Sequence, residues 1–338
     1  MSAHQENYQG KATKGLDQKW LNINPESEAN RICEKLRKDI FETLRKKGGV
    51  VGISGGIDSS VVLALAVKAV GKDRVLGVLM PEKESSPESV EMALTLANDL
   101  GVRTVTEDIS NALEGFDCYK RRNDAIVKTI PEFNPPEWSA KIVLPPNLLE
   151  QQTLNLFRLV VTSPDGQEIS KRLPLNELQQ IIAASNLKQR SRMCMLYYYA
   201  EAQNFAVIGT ANKNEHDLGF FVKWGDGGVD VSPIRHLFKT QIFQLAQYLN
   251  IPEEIQKRIP TTDTYPGGST QEEFFYRIPF DILDTIWAGY EKRVDRDEIA
   301  SVLGLQTEQV ARVISDIESK KRSTNYLRTS PLGYEEVK

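Results

Sequence analysis

The chain has 338 residues, 40% of them hydrophobic, with 42 Lys and Arg against 46 Asp and Glu and a formal charge of -4. That content supplies an ordinary globular core. The slight acidic excess argues against a general nucleic-acid binder, whose phosphate contacts need surplus cations. The longest apolar run, residues 61–70, already contains Lys68 and is far shorter than the roughly 20 residues of a membrane span. Residues 1–10 are polar and hold no signal-peptide core. Cys33, Cys118 and Cys194 are far apart and odd in number, so they form neither a disulfide framework nor a CxxC metal pair. These features together predict a soluble cytoplasmic protein with no membrane or nucleic-acid partner.

Residues 1–23 read as a polar arm. A helix then starts at Asn24, a capping residue, with Pro25 at its first position and Glu26 and Glu28 near its positive end. Ile32, Leu36, Ile40 and Leu44 recur every four residues as one apolar stripe, which Gly48 and Gly49 end. Residues 50–53 form a short apolar run typical of a buried strand. It breaks at Ser54-Gly55-Gly56 and re-enters a helix through residues 58–71. A strand at 74–80, a helix at 87–100 and a strand at 102–107 follow. After a long interruption come a helix near 186–203, strands at 205–209 and 229–234, and a helix at 239–249. Strands alternating with helices predict an α/β fold, a doubly wound and mostly parallel sheet with ligands beyond the carboxyl ends of its strands. The interruption, about residues 129–180, is rich in proline and reads as an inserted lobe. Residues 154–162 and 167–173 around Ser163-Pro164-Asp165-Gly166 suggest a hairpin within it. From about Phe280 the chain reads as short helices ending in the basic run Lys320-Lys321-Arg322. The expected organisation is an arm at 1–23, an α/β domain at 24–290 and a helical C-terminal extension at 291–338.

The sharpest chemical signal is Ser54-Gly55-Gly56-Ile57-Asp58-Ser59-Ser60 between a strand and a helix. Glycines let backbone approach a ligand, and the free amides of a first helical turn attract an anion. Asp58 is the odd member, because a carboxylate repels phosphates unless a cation lies between them. It is best explained as a Mg²⁺ ligand bridging to phosphate oxygens. No GxxxxGK[ST] is present, so this is not a Walker A loop. Gly52-Ile53-Ser54-Gly55-Gly56 also fits the G-x-S-x-G elbow of α/β-hydrolases, but that reading gives Asp58 no role. His216 and His236, the histidines that follow it, lack spaced partners and read as solvated or satisfied side chains. The Tyr197-Tyr198-Tyr199 run reads as helix packing rather than a base-stacking platform.

The loop resembles the pyrophosphate loop of the N-type ATP pyrophosphatases, which cleave ATP between the α- and β-phosphates. A second series narrows the resemblance. Asn186-Leu187-Lys188-Gln189-Arg190-Ser191-Arg192-Met193 is placed at the opening of a helix. Gly209-Thr210-Ala211-Asn212-Lys213-Asn214-Glu215 follows a strand. Then come Gly219-Phe220-Phe221-Val222-Lys223-Trp224-Gly225-Asp226-Gly227-Gly228-Val229-Asp230 and, later, Lys239. In this order the series resembles ammonia-dependent NAD synthetase, over roughly residues 25–290 apart from the lobe.

The resemblance implies an ATP-dependent amidation of deamido-NAD to NAD with ammonia, through an adenylated intermediate and with release of AMP and pyrophosphate. Another ATP pyrophosphatase, such as a tRNA-modifying enzyme, is the alternative. The resemblance places Gly52, Ser54, Gly55, Gly56, Asp58, Ser59, Thr210, Lys239 and Thr261 on ATP. Asp58 and Glu215 would hold Mg²⁺. Arg190, Lys223 and Asp230 would bind deamido-NAD, while Arg192 stays open between the site and a surface pair. Asp226, where ammonia is held and deprotonated, and Lys239 would act in catalysis. The family's C-terminal basic motif usually begins with His; here Lys320 and Lys321 stand at that place, as substrate contacts. A homodimer is implied, with the helix at 24–47 a candidate for part of its interface. Only 53 residues precede the loop, too few for a glutaminase domain, so ammonia is the expected donor.

Overall fold

The computed structural model describes residues 20–144, 148–149, 157–259 and 270–334. At its centre are four parallel strands. β1 (Gly49–Gly52) pairs with β2 (Val75–Leu79) on one side and β7 (Ala206–Ile208) on the other, and β2 pairs with β3 (Arg103–Thr106), giving the order β3-β2-β1-β7. The strand order reverses at the β1/β7 boundary, so the loops after these two strands open onto the same crevice.

Strand side chains alternate between two covered faces, as a parallel sheet requires. Val51, Val75 and Ile208 meet α1 (Pro25–Lys38), α2 (Ile57–Val70), α3 (Pro87–Asp99) and α8 (Lys239–Tyr248). Val50, Leu76, Val78 and Val207 meet the end of α6 (Leu175–Gln203). The Asn24 carboxamide oxygen accepts from the Ser27 amide at 2.9 Å and caps α1, as expected. Ile32, Leu36 and Ile40 are buried against α2 and α8 of the same chain. The stripe that was a candidate for a subunit interface is therefore consumed inside the chain.

Two expectations along the sheet change. The strand at 229–234 reduces to a single bridge between Ile208 and Val231; Pro233, with no amide hydrogen, cannot extend the ladder. The helix expected from 186 begins at Leu175 and runs for 29 residues. Residues 186–193 thus lie inside α6 instead of opening it.

The inserted lobe is a three-stranded antiparallel sheet, β4 (Ser139–Val143), β5 (Arg158–Thr162) and β6 (Glu168–Arg172). The hairpin is present with its turn at residues 163–167; residues 154–156 lie outside the described ones. The strand β4, and α4 (Ser110–Gly115) and α5 (Cys118–Thr129) before it, were not foreseen. Ala140, Ile142, Leu159 and Val161 pack on α5 and on Leu178 and Ile181 of α6. One long helix therefore carries the lobe at its start and the sheet at its end.

After α7 (Lys213–Leu218), α8 and the short α9 (Glu253–Lys257), the chain ends in α10 (Phe280–Glu291), α11 (Arg296–Leu303), α12 (Thr307–Ser323) and α13 (Asn325–Arg328). Their core is continuous with Trp20, Leu21, Leu218 and Phe238. The end of the expected N-terminal arm is thus part of the packed molecule, and among the described residues one cluster includes side chains on both sides of residue 290. Among the described residues no helix is long and apolar enough to cross a membrane.

Candidate active site

The glycine loop is built by the strand that precedes it. The Ile53 amide still donates to the Val78 carbonyl at 3.0 Å, holding the loop at the carboxyl end of the central strand. Gly55 then adopts φ 74°, and a β-carbon there would lie 2.3 Å from the Ser89 carbonyl oxygen. Glycine is required twice over, for the left-handed backbone and for the close approach. The Ser59 and Ser60 hydroxyls donate to the Gly56 carbonyl at 3.0 and 2.9 Å, and the Ser54 and Ser59 hydroxyls lie 3.2 Å apart. These bonds tie the loop to the first turn of α2, whose residues Ile57, Asp58 and Ser59 line the crevice.

Asp58 enters from α2, Lys239 from the start of α8 and Glu215 from α7. The Lys239 ammonium, fully buried, is paired with Asp58. Asn212 joins the two carboxylates. Its side chain donates to Asp58 at 2.9 Å and its backbone amide donates to Glu215 at 3.1 Å, while its carboxamide oxygen accepts from the Glu215 amide at 3.0 Å. Burial, then the charge of Asp58, push the Glu215 carboxyl up to about 8, with Lys239 opposing. Two carboxylates sharing one ammonium are short of positive charge. An all-oxygen pair of this kind fits a hard divalent cation that takes its remaining ligands from phosphate and water. Among the described residues no cluster of three or more His, Cys, Asp or Glu could hold a metal without such help. His216 contacts Asp217 and His236 contacts Glu28, so both histidines are satisfied as expected.

Two cavities meet here. The first, about 270 Å³, lies under the glycine loop. Every residue expected to hold ATP lines it except Gly55, which shapes the loop, and Thr261, which is outside the described residues. Arg192 and Arg258 also line it; the sequence left the first open and missed the second. The second cavity, about 790 Å³, runs between α1, residues 221–236 and residues 327–331, and contains Lys223 and Asp230. Gly209, Ala211, Asp226 and Val229 belong to both walls. Asp226 therefore sits at the junction. Its carboxylate accepts from the Val222 amide at 2.7 Å. Surrounding protein strips enough solvent from it to push its carboxyl up to about 6, although one side stays open to water.

The remaining expected substrate residues already have protein partners. Lys223 donates to the Tyr326 and Thr329 carbonyls at 3.0 and 2.7 Å, which pins α13 over the second cavity. Asp230 accepts from the Val207 amide at 2.8 Å and the Tyr197 hydroxyl at 3.0 Å. Arg190 lies outside both walls and donates to the Lys223 carbonyl at 3.4 Å, so it touches the site through that loop. Lys320 and Lys321 are not brought to either cavity. Lys320 is buried on Asp316 and the Phe275 carbonyl, and Lys321 faces Glu291 and the Trp287 ring. The last turn of α12 directs them into the C-terminal core instead.

A glycine loop, opposed carboxylates and a buried lysine at the switch point of a parallel sheet define a nucleotide-binding enzyme of the ATP pyrophosphatase class. The family model described as NAD synthase matches residues 28–132 and 151–331. An NH(3)-dependent NAD(+) synthetase of Mesorhizobium japonicum is 44% identical over 92% of this chain and 97% of its own length. In fold, the chain resembles NMN synthetase from Francisella tularensis and NH3-dependent NAD synthetase from Campylobacter jejuni. Each likeness has a TM-score of 0.59 at 23% identity and covers 93% of this chain and 100% of the other. The chain belongs to the NAD synthase family.

Proposed function

We propose that the chain amidates deamido-NAD to NAD with ammonia and ATP, through an adenylate, releasing AMP and pyrophosphate. The observation that carries this reading is the shared wall: Asp226 stands between the cavity of the glycine loop and the cavity of Lys223 and Asp230. The first takes ATP and the second takes the dinucleotide, so the nicotinate carboxylate and the α-phosphorus meet at their junction. Asp58 and Glu215 would hold Mg²⁺, which when bound offsets the charge of the phosphates.

The protein's own groups do the rest. Amides of the loop and of the first turn of α2 face the phosphates. Lys239 exchanges Asp58 for phosphate oxygen and stabilises the charge that develops as pyrophosphate leaves. Thr210 and Thr261 contribute to the ATP site. Asp226 sits where ammonia approaches the activated carbonyl. Its carboxylate accepts the proton that the nitrogen sheds as the amide forms. Arg190 supports the Lys223 loop, while Lys223 and Asp230 hold the remote parts of the dinucleotide so that the carboxylate is oriented for attack.

The test is a mass-spectrometric assay of the purified chain with ATP, Mg²⁺, ammonium and deamido-NAD. Equal amounts of NAD, AMP and pyrophosphate are expected; ADP and phosphate, or no NAD, would overturn the reading. We also infer a cytoplasmic homodimer that does not engage nucleic acid. A monomer by light scattering at micromolar concentration would refute the dimer.

A further inference from the structure

Asp284, on α10, belongs to none of the sequence motifs and lies 44 residues beyond Thr240 in the chain. Yet its carboxylate is fully buried at the N-terminal end of α8. One oxygen accepts from the Thr240 amide at 2.9 Å. The other accepts from the Asn214 carboxamide nitrogen at 2.5 Å. Asn214, also fully buried, turns its own oxygen to the Lys239 amide at 2.9 Å. An unbroken hydrogen-bonded chain thus links α10 to α7 and α7 to α8. It grips the residue immediately before Glu215 and the backbone on both sides of the Lys239–Thr240 peptide.

The local sequence explains why such a device is needed. The residue before Lys239 is Phe238, whose ring offers no acceptor to the first-turn amides of α8. The Lys239 amide is buried and the Thr240 amide partly so, and a buried donor left unpaired is costly. Asn214 and Asp284 supply the missing acceptors from elsewhere in the chain. Phe280, one turn before Asp284 on α10, lies under the Lys239 ammonium at 5.7 Å from its ring centroid. The same helix therefore supports Lys239 at both its backbone and its charged end.

We propose that Asp284 and Asn214 form a positioning pair that sets Lys239 and Glu215 relative to Asp58. The inference rests on the proposed role of Lys239 at the phosphates. Donor and acceptor roles in the pair are fixed. Asp284 accepts twice, whereas Asn214 must donate once and accept once. Asp284→Asn leaves two amide groups to face each other where one oxygen must accept, and Asn214→Asp opposes two carboxylates. The double swap, Asn214→Asp with Asp284→Asn, restores every bond. Asn at 284 then donates to Asp at 214 and accepts from Thr240, while Asp at 214 accepts from Lys239. Net charge is unchanged.

The experiment compares the wild-type chain, both single variants and the double swap at mildly alkaline pH. It measures kcat and KM for each substrate, calorimetric affinity for a non-hydrolysable ATP analogue with Mg²⁺, and thermal unfolding. Each single variant should lose about 100-fold in kcat, the scale of a one-ångström misplacement of a catalytic group. Each should also bind the analogue more weakly, with a smaller effect on KM for deamido-NAD. The double swap should recover both quantities to within about tenfold of wild type, because its geometry is restored. A single variant with wild-type kcat and analogue affinity would overturn the proposal. So would a double swap that unfolds like wild type yet remains as impaired as the singles. The calorimetric cycle keeps the two readings apart: a wild-type chain that binds the analogue but makes no NAD contradicts the proposed function, while recovery of affinity in the swap still decides the pair.

Discussion

Glu84→Gln tests what holds the loop after β2 over the first cavity. Glu84 is gripped by the Arg122 guanidinium through two bonds, at 2.6 and 2.7 Å, and by the Lys188 ammonium at 2.6 Å. Lys188 also reaches Glu82 at 2.9 Å, and the Tyr119 hydroxyl donates to Glu82 at 2.7 Å. The side chains of Lys188 and Arg122 are 1% and 5% exposed and that of Glu84 is 17% exposed, so solvent screens this network little. Burial alone would raise the Glu84 carboxyl; Arg122 and then Lys188 outweigh it and hold the group at about 2. A carboxylate lowered that far stabilises the fold by about 3 kcal/mol, at about 1.4 kcal/mol per pH unit. Breaking a buried pair by removing one partner costs about 3–5 kcal/mol, which agrees. The sign follows from the lowered value. The stability is fully present above the ordinary glutamate pKa and is lost as pH falls towards about 2. Urea unfolding of both proteins across pH should therefore show a gap of about 3 kcal/mol at neutral pH that closes through this acid window. Ser85 and Ser86 of the same loop line the first cavity, so KM for ATP should also rise. A gap below about 1 kcal/mol at neutral pH, a value typical of exposed pairs, would refute the reasoning. A gap that persists unchanged through the acid window would do the same.

Asp58→Asn should abolish pyrophosphate release while the far-ultraviolet circular dichroism stays that of the wild type; normal release rates would remove Asp58 from the phosphates. Gly55→Ala should lose ATP binding by calorimetry, because its added carbon would lie 2.3 Å from the Ser89 carbonyl oxygen and its φ of 74° disfavours any side chain. Lys223→Ala should weaken kcat/KM for deamido-NAD by about 1.5–3 kcal/mol, the range of a charge-assisted hydrogen bond. Unchanged ATP binding is expected in that variant. Because Lys223 also holds two carbonyls of residues 326–329, amide exchange there should quicken; equal losses for both substrates would contradict its placement.

Much of the sheet and its crevice was legible because local rules and global packing agree there. The glycine loop needs glycine for its backbone, and Asn212 with Glu215 is a capping box whose Asn212 carboxamide also donates to Asp58. The tyrosine run packs at two of its three positions, and Tyr198 is exposed. Tyr197 bonds Asp230, Tyr199 bonds Glu107, and both rings lie against the sheet. The start of α6 was not legible for a physical reason. The helix buries Leu178 and Ile181 in the lobe and Ala200 against the sheet, so its buried face changes along its length and no single stripe marks it. Lys188 was equally hidden. A lysine in a polar stretch reads as solvated, and only the tertiary approach of Glu82 and Glu84 makes it a buried ion. Asp284 is the extreme case, since its partners come from two helices that precede it in the chain.

The same partners alter what a truncation at the site can measure. Lys239 is paired with Asp58, and Lys223 with two backbone carbonyls. In the proposed reading each exchanges those acceptors for a ligand's oxygens, so only the difference between the two sets of bonds would appear as affinity. In that reading, the exchange at Lys239 would free Asp58 for a cation and so couple phosphate and metal binding through one side chain. For Lys223 it would release α13, whose neighbours line the second cavity. Removing Lys223 deletes the ligand's contact and also the anchor that competes with it, so the measured loss belongs nearer the lower end of the range. Removing Lys239 leaves Asp58 and Glu215 without their shared ammonium. Its cost therefore falls on the unliganded protein as well as on the transition state, and kinetics must be read beside unfolding to separate them.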